Sequence, residues 1–375
     1  SWGYPKVLAG PLVPPVAGID TAIMDQPGLW LDRSFDEILR YRFALVRGKH
    51  AIDVHAARDP PRYLRTVQEV VMAARATDTE MTLKGRARLA VTFTARAAPT
   101  GPSGVVERVV LGENPSVPRK VDAVVADGDL TARQGVFELF TAGIPERQIT
   151  RMLAVGLLGT GKLRRLVPTE WSITAVDDIV GKALRDGVRN HPWINEYAVF
   201  GHRALGNNAQ ILMLPSSWMF EAFEAWVTST HPVVERDFEL ARGRTTYASE
   251  LAGAYYAARL PVLEHLTRVR RQAAVLVFME VYPEWIPLGV WRFRELCREA
   301  LNRGATRYAT LREACAALNR RLRLPLATWL RRSRVLPTYT SQTRITEFLT
   351  PAVSRGPPRV VNNALSQDDA RRSGD

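Results

Sequence analysis

Four carboxylates are spaced so that they could share a divalent cation. Asp177 and Asp178 are adjacent, and Glu221 and Glu224 are three residues apart. Two carboxylates plus water suffice for Mg2+, so a convergence of the two pairs would suit phosphodiester hydrolysis. The plainer account is that acids near a helix start complement its dipole and acids on solvated faces hold nothing. His202 and Arg203 stand just before Asn207-Asn208 at a turn, where a base or phosphate contact is open, although turn chemistry alone accounts for the Asn pair. A third group joins Trp171, Ser172 and Thr174 to Arg164 and Arg165. Indole stacking with hydroxyl and guanidinium contacts would suit a nucleotide, while a buried core tryptophan is the competing account. Asp177, Asp178, Glu221 and His202 are therefore the candidates for catalysis, and Mg2+ enters only if they act as an enzyme. No Walker-type loop, dinucleotide fingerprint, paired-histidine metal motif or nucleophile elbow occurs. Cys297 and Cys315 alone cannot make a four-ligand zinc site.

The elements that must position these groups read as α+β, with small antiparallel sheets packed against helices and a largely helical C-terminal part. Residues 1–30 read as loop around short apolar pieces. Ser34 followed by Glu37 is a capping-box pattern that opens a helix over 34–47, and a second helix covers 61–76. Strands are expected over Arg86–Ala95 and Val105–Leu111, then helices over 131–142 and 145–157. Pro168 turns an extended, basic approach into a central helix over 174–189, with Ser172 or Thr174 as its cap. Tyr197–Arg203 and Gln210–Leu214 read as strands around a Gly206-Asn207-Asn208 turn. Ser217–Val227 reads as a helix with an aromatic face, and Val233–Leu240 as a strand. From Ser249 onward helices dominate: 249–281 broken at Pro261, then 288–303, 308–320 and 325–332. Residues 333–375 are polar and Pro-rich, which predicts a mobile tail. The expected organisation is thus 1–160, 161–332 and the tail 333–375.

Charge narrows the class of partner. The 375 residues carry a net +13, and Lys occurs only six times, so nearly all the cation is guanidinium. Residues 256–355 hold eighteen Arg against seven Glu, with no Lys or Asp, a local +11. Arg forks match phosphate oxygens bidentately, which points to DNA, with Arg164, Arg165, Arg268, Arg270 and Arg271 as contact residues. A high-GC genome or heat adaptation would also enrich Arg. The 46% hydrophobic content supports a large folded core. The longest apolar run, Ala273–Met279, is far short of the ~20 residues needed to cross a bilayer. No leader pattern opens the chain, and the expected setting is cytoplasmic, associated with the nucleoid, with no membrane partner.

Within the tail, Gln342, Ile345, Phe348 and Leu349 fall at relative positions 1, 4, 7 and 8. A single 3-10 turn would bring the three apolar side chains to one side, a common design for a peptide that folds into a partner's groove. Longer stretches carry a resemblance. Gly3-Tyr4-Pro5 with Gly10-Pro11-Leu12, Leu166 through Asp178, Pro215–Trp218, Tyr255–Leu260, Arg271–Leu276 and Glu280–Glu284 are similar to the archaeal Nre family of DNA repair proteins. The resemblance covers roughly residues 3–300. It implies DNA-damage repair through the sliding clamp PCNA and a clamp-binding peptide on Gln342, Ile345, Phe348 and Leu349, and it implies no agreed catalytic chemistry. Leu349 replaces the family's second aromatic and is followed by twenty-six residues. The family's Cys-rich motif before the Gly-Tyr-Pro region has no counterpart here, so no zinc site carries over. The expectation is a DNA-binding repair factor recruited by PCNA. The alternative is a repair enzyme, a metal-dependent nuclease or nucleotide-processing activity, with a site around Trp171–Asp178.

Overall fold

A computed structural model describes residues 3–14, 21–89, 100–227, 232–285 and 289–341. The smaller sheet draws on β1 (Lys6–Ala9), β2 (Leu12–Val13), β3 (Val46–Asp53), β4 (Thr79–Leu83) and β5 (Ser103–Leu111). Its order is β1-β3-β5-β4, with β2 also on β3, and only β3 and β5 run parallel. Around it lie α1 (Phe35–Ala44) and α2 (Arg62–Met72). The capping box that opens α1 is formed: Glu37 N–H donates to Ser34 Oγ, and Ser34 N–H donates to Glu37 Oε2.

The helices α3 (Arg119–Ala126), α4 (Ala132–Thr141), α5 (Glu146–Ala154) and α6 (Thr169–Val188) form a layer that shares one apolar cluster around Val136, Leu139, Ile149, Met152, Val176 and Val180. The larger sheet follows with β6 (Tyr197–Ala204), β7 (Asn207–Leu214), β8 (Met219–Trp226), β9 (Val234–Glu239), β10 (Ala274–Val281) and β11 (Thr306–Tyr308). Its order is β11-β6-β7-β10-β8-β9, antiparallel except where β10 meets β8. One face is covered by α7 (Gly253–Val269) and α8 (Trp291–Asn302), the other by α9 (Leu311–Arg321), α10 (Leu326–Leu330) and α11 (Val335–Ser341). Strand β10 is buried on both faces, as an inner strand sandwiched by helices must be. The architecture is α+β, two mainly antiparallel sheets within helical layers.

Several elements differ from their sequence reading. Residues 219–226 are a strand and not a helix: Phe220 and Ala222 join one core cluster while Met219, Phe223 and Ala225 join the other, a period of two. Pro261 lies inside α7 without breaking it, because the helix is buried nearly all round between the sheet and α6, and packing overrides the lost hydrogen bond. The apolar run after it is β10 and not more helix; Val275, Val277 and Val281 favour the strand. Helix α6 starts at Thr169 behind Pro168, so Ser172 and Thr174 lie within it and cap nothing. The β6–β7 turn is Leu205-Gly206, both at positive φ, a two-residue hairpin loop that needs glycine because a Cβ on Gly206 would meet Trp285 backbone at 2.6 Å. Only Arg86–Leu89 of the strand expected over Arg86–Ala95 is described, and there Arg88 makes an isolated bridge to Ser103. At the start of the tail, 335–341 is helical, with Val335 and Tyr339 buried and Tyr339 OH 2.8 Å from Tyr197 OH.

Candidate nucleic-acid interface

Asp177, Asp178, Glu221 and Glu224 sit in four different ion and hydrogen-bond networks. Arg294 Nη1 donates to Asp177 Oδ1 at 2.6 Å, and Asp177 Oδ2 is buried without a hydrogen-bond partner among the described residues. Burial outweighs the pull of Arg294, so the carboxyl rises to about 6. Asp178 accepts from Lys182 Nζ at 2.6 Å and from Arg259 Nη2 at 2.7 Å. Arg259, fully buried, also donates to Glu239 Oε2 at 2.9 Å. Glu224 accepts from Arg292 Nη2 at 2.7 Å, and Arg292 lies against the rings of Trp226, Trp285 and Phe293. Glu221 points from the other face of β8. It accepts from Ser333 Oγ and from the backbone N–H groups of Arg334 and Val335 at 2.9 and 3.2 Å, at the start of α11. Among the described residues no group of three or more His, Cys, Asp or Glu side chains could hold a metal ion.

Trp171, Ser172 and Thr174 do not line a shared pocket. Ser172 is buried with its hydroxyl towards Val167 O, Thr174 donates to Glu170 O, and Trp171 is exposed beside Tyr4. Arg164 is tied to Gly159 O and Val125 O, a local structural role, while Arg165 is exposed. Much of the +11 stretch is also internal: Arg259, Arg292 and Arg294 are buried among carboxylates.

The remaining guanidinium groups gather at one end of the larger sheet. Arg268 and Arg270 are exposed where α7 ends, and Arg271 follows. Arg268 Nη1 reaches Asn302 Oδ1 at 3.5 Å, which places it beside the end of α8. Burial, and then Arg268 and Arg307, push His265 down to about 4, so it stays neutral at physiological pH. Strand β11 pairs only with Tyr197–Val199, and the outer edge of β6 beyond it opens into a cleft of about 490 Å³. Its lining is Gly201, His202, Arg203, Asn208, Gln210, Arg303, Gly304, Thr306, Arg320 and Arg321, without a carboxylate. Arg303 Nε donates to Glu299 at 2.8 Å, Arg321 Nη2 to Thr306 Oγ1 at 2.9 Å, and Arg203 Nη2 to Tyr282 OH at 3.2 Å. Burial, and then Arg303, hold His202 below the usual imidazole range.

His202, Arg203 and Asn208 were thus visible in the sequence as a possible phosphate contact, whereas Gln210, Arg303, Arg320 and Arg321 were not. The available signal was that Arg303 follows α8 and that α9 ends in Arg320 and Arg321, a pattern that the helix dipole also explains. Gln342, Ile345, Phe348 and Leu349 lie outside the described residues.

The family described as "Archaeal Nre, N-terminal" matches residues 1–231, and "Archaeal Nre, C-terminal" matches 239–348. DNA repair protein NreB of Archaeoglobus fulgidus is 32% identical over 342 residues, 89% of this chain and 85% of that protein. DNA repair protein NreA of the same organism is 35% identical over 85% of this chain and 82% of its own length. NreA of Haloferax volcanii is 34% identical over 88% of this chain and 82% of its own length. No solved structure matches. The chain belongs to the archaeal Nre family of DNA repair proteins.

Proposed function

We propose that this protein is a DNA-repair factor that holds DNA on the basic end of its larger sheet and is recruited to the PCNA sliding clamp by its C-terminal peptide. It would act in the cytoplasm, at the nucleoid. The observation that carries the DNA half is the run of exposed cations from Arg268 and Arg270 through Arg303 and Arg307 to Arg320, joined through the Arg268–Asn302 contact and the cleft. Guanidinium groups in that density, with a cleft lining free of carboxylates, favour a polyanion. Affinity should therefore fall linearly on a log–log salt plot, and replacing Arg268, Arg270 and Arg271 by Ala should flatten the slope by up to about 3 while weakening all sequences alike. A slope unchanged in the triple variant would remove this face from the DNA contact.

Support for the clamp half is the spacing of Gln342, Ile345, Phe348 and Leu349 together with the family membership. Burial of the three apolar side chains contributes roughly 1.5–3 kcal/mol each, and ordering the peptide costs about 1–2 kcal/mol per residue, so side-chain burial alone does not outweigh the ordering and the isolated contact should be weak. Titration of the 338–352 peptide against the clamp should show saturable binding, lost when Ile345 and Phe348 become Ala. Binding unaffected by that double change would refute the assignment.

A further inference from the structure

The polar floor of the basic cleft is wired in one direction. Glu280 is fully buried and accepts from Asn208 Nδ2 at 2.9 Å, Tyr282 OH at 2.7 Å, and the backbone N–H groups of Arg323 and Leu324 at 2.8 Å each. Asn208 Nδ2 also donates to Arg321 O at 2.9 Å. With its amide nitrogen facing two acceptors, Asn208 turns its oxygen the other way, where it accepts from Gln210 Nε2 at 2.8 Å. That bond fixes Gln210 in turn. Its nitrogen is used, and Oε1 is left as an acceptor.

Gln210 is only 5% exposed, lines the cleft, and its Oε1 meets no donor among the described residues. His202, one residue along β6 from Gly201 and so on the opposite face of the sheet, also leaves Nε2 buried without a hydrogen-bond partner among the described residues. Gly201, opposite Gln210 in the β6–β7 register, leaves room for the amide: a Cβ there would lie 2.3 Å from Oε1. Buried polar atoms without partners are uncommon in folded proteins, and Gln210 Oε1, in the lining of a cleft that also holds several guanidinium groups, points to a ligand that completes it. In the same lining, Arg320 has no hydrogen-bond or ion-pair partner among the described residues, and Arg303 is held by Glu299 through Nε.

We infer that the cleft takes one unpaired nucleotide of a DNA strand, with its phosphate on Arg303 and Arg320 and a donor on its base edge on Gln210 Oε1. This rests on the DNA-binding reading above and adds to it the form of DNA. A paired base has its Watson–Crick donors engaged and is held in the stack, so it cannot reach an acceptor recessed under the rim. An unpaired one can, and the cleft has about the room for a single nucleotide.

The test uses the full chain and four probes at one salt concentration: dT12, dT12 methylated at every N3, a 12-base-pair duplex, and thymidine monophosphate. N3 methylation removes the only donor on the thymine edge and keeps the ring. The wild type should bind dT12 more tightly than the duplex and about tenfold more tightly than the methylated strand. Arg303→Ala with Arg320→Ala, both exposed, should weaken dT12 about tenfold and the duplex much less. Gln210→Met should abolish the discrimination against N3-methyl, with thermal melting confirming that the variant is folded. Equal affinity for dT12 and its methylated form overturns the base contact, and so does dT12 binding unchanged in the double Arg variant. Thymidine monophosphate competing as well as dT12 overturns the strand in favour of a free nucleotide. Should the Arg268, Arg270 and Arg271 variant lose DNA while the cleft variants do not, the cleft falls and the basic end stands; a wild type without affinity for any strand at low salt removes both.

Discussion

Asp177 shows how a residue chosen for chemistry can carry a different consequence. It is fully buried, has one cationic partner in Arg294, and shares that cation with Glu146 and Glu295. Its carboxyl rises from 3.8 to about 6 because burial disfavours the charge by more than Arg294 restores. The folded state therefore holds its proton more tightly than the unfolded chain does. By linkage, the stabilisation is complete below about pH 4 and is lost as the pH climbs through about 6. The raised value corresponds to at most about 3 kcal/mol across that window. Asp177→Asn removes the titration and keeps the shape. Measured by denaturant midpoints, the variant should gain on the wild type as the pH rises from about 4 to 6 and run parallel to it above. A stability difference that stays flat from pH 4 to 7 would show that the carboxyl does not titrate in that range.

At the scale of elements, Glu221 is the residue whose role the sequence hid most completely. Read on a helix with Glu224, it looked like half of a metal site; on strand β8 the two acids point to opposite faces, and Glu221 meets the first turn of α11. A buried carboxylate there satisfies backbone N–H groups that have no partner inside the helix and complements its dipole. Glu221→Ala would leave three donors without an acceptor and should cost roughly 3 kcal/mol, with hydrogen exchange over 333–341 rising well above that of α9. Exchange unchanged in that helix would contradict the anchoring role.

The same strand explains what the sequence could and could not disclose. The capping box at Ser34, the hairpin strands β6 and β7, and helices α4, α5, α8 and α9 were legible because each follows local spacing, with capping boxes formed at α4 and α9. Strands β8 and β10 were not. Their residues are apolar or buried on both faces, so a period of two is masked, and Trp218, Phe220 and Phe223 mimic a helical stripe. Of the cleft, His202, Arg203 and Asn208 on one hairpin were legible, and Gln210 on the same hairpin was not. The other half, Arg303, Arg320 and Arg321, arrives from two helices on opposite faces of the sheet, which only tertiary packing can reveal.

Taken as a whole, the molecule joins what the family comparison divides. The two matched segments, 1–231 and 239–348, meet within the larger sheet: β6, β7 and β8 come from the first, β10 and β11 from the second, and β9 spans the junction. Strand β10 is inserted between β7 and β8, pairing with each along its whole length. Removing it would expose both inner edges and strip α7 and α8 from a core that includes Phe220, Ile211 and Tyr255. Edges of that length, apolar on both faces, invite association with other chains. The segments 1–231 and 239–348 should therefore aggregate or remain unfolded when made separately, while co-expression should recover a soluble complex with the near-ultraviolet dichroism of the intact protein. The ion pairs across the junction sharpen the expectation: Asp177–Arg294, Asp178–Arg259 and Glu224–Arg292 each place one partner in either segment. Either half alone buries or exposes unpaired charges that the sheet was built around, at a cost of several kcal/mol per broken buried pair. Residues 1–231 folding alone into a monomer with a cooperative melt would show instead that β10 is dispensable to the first segment.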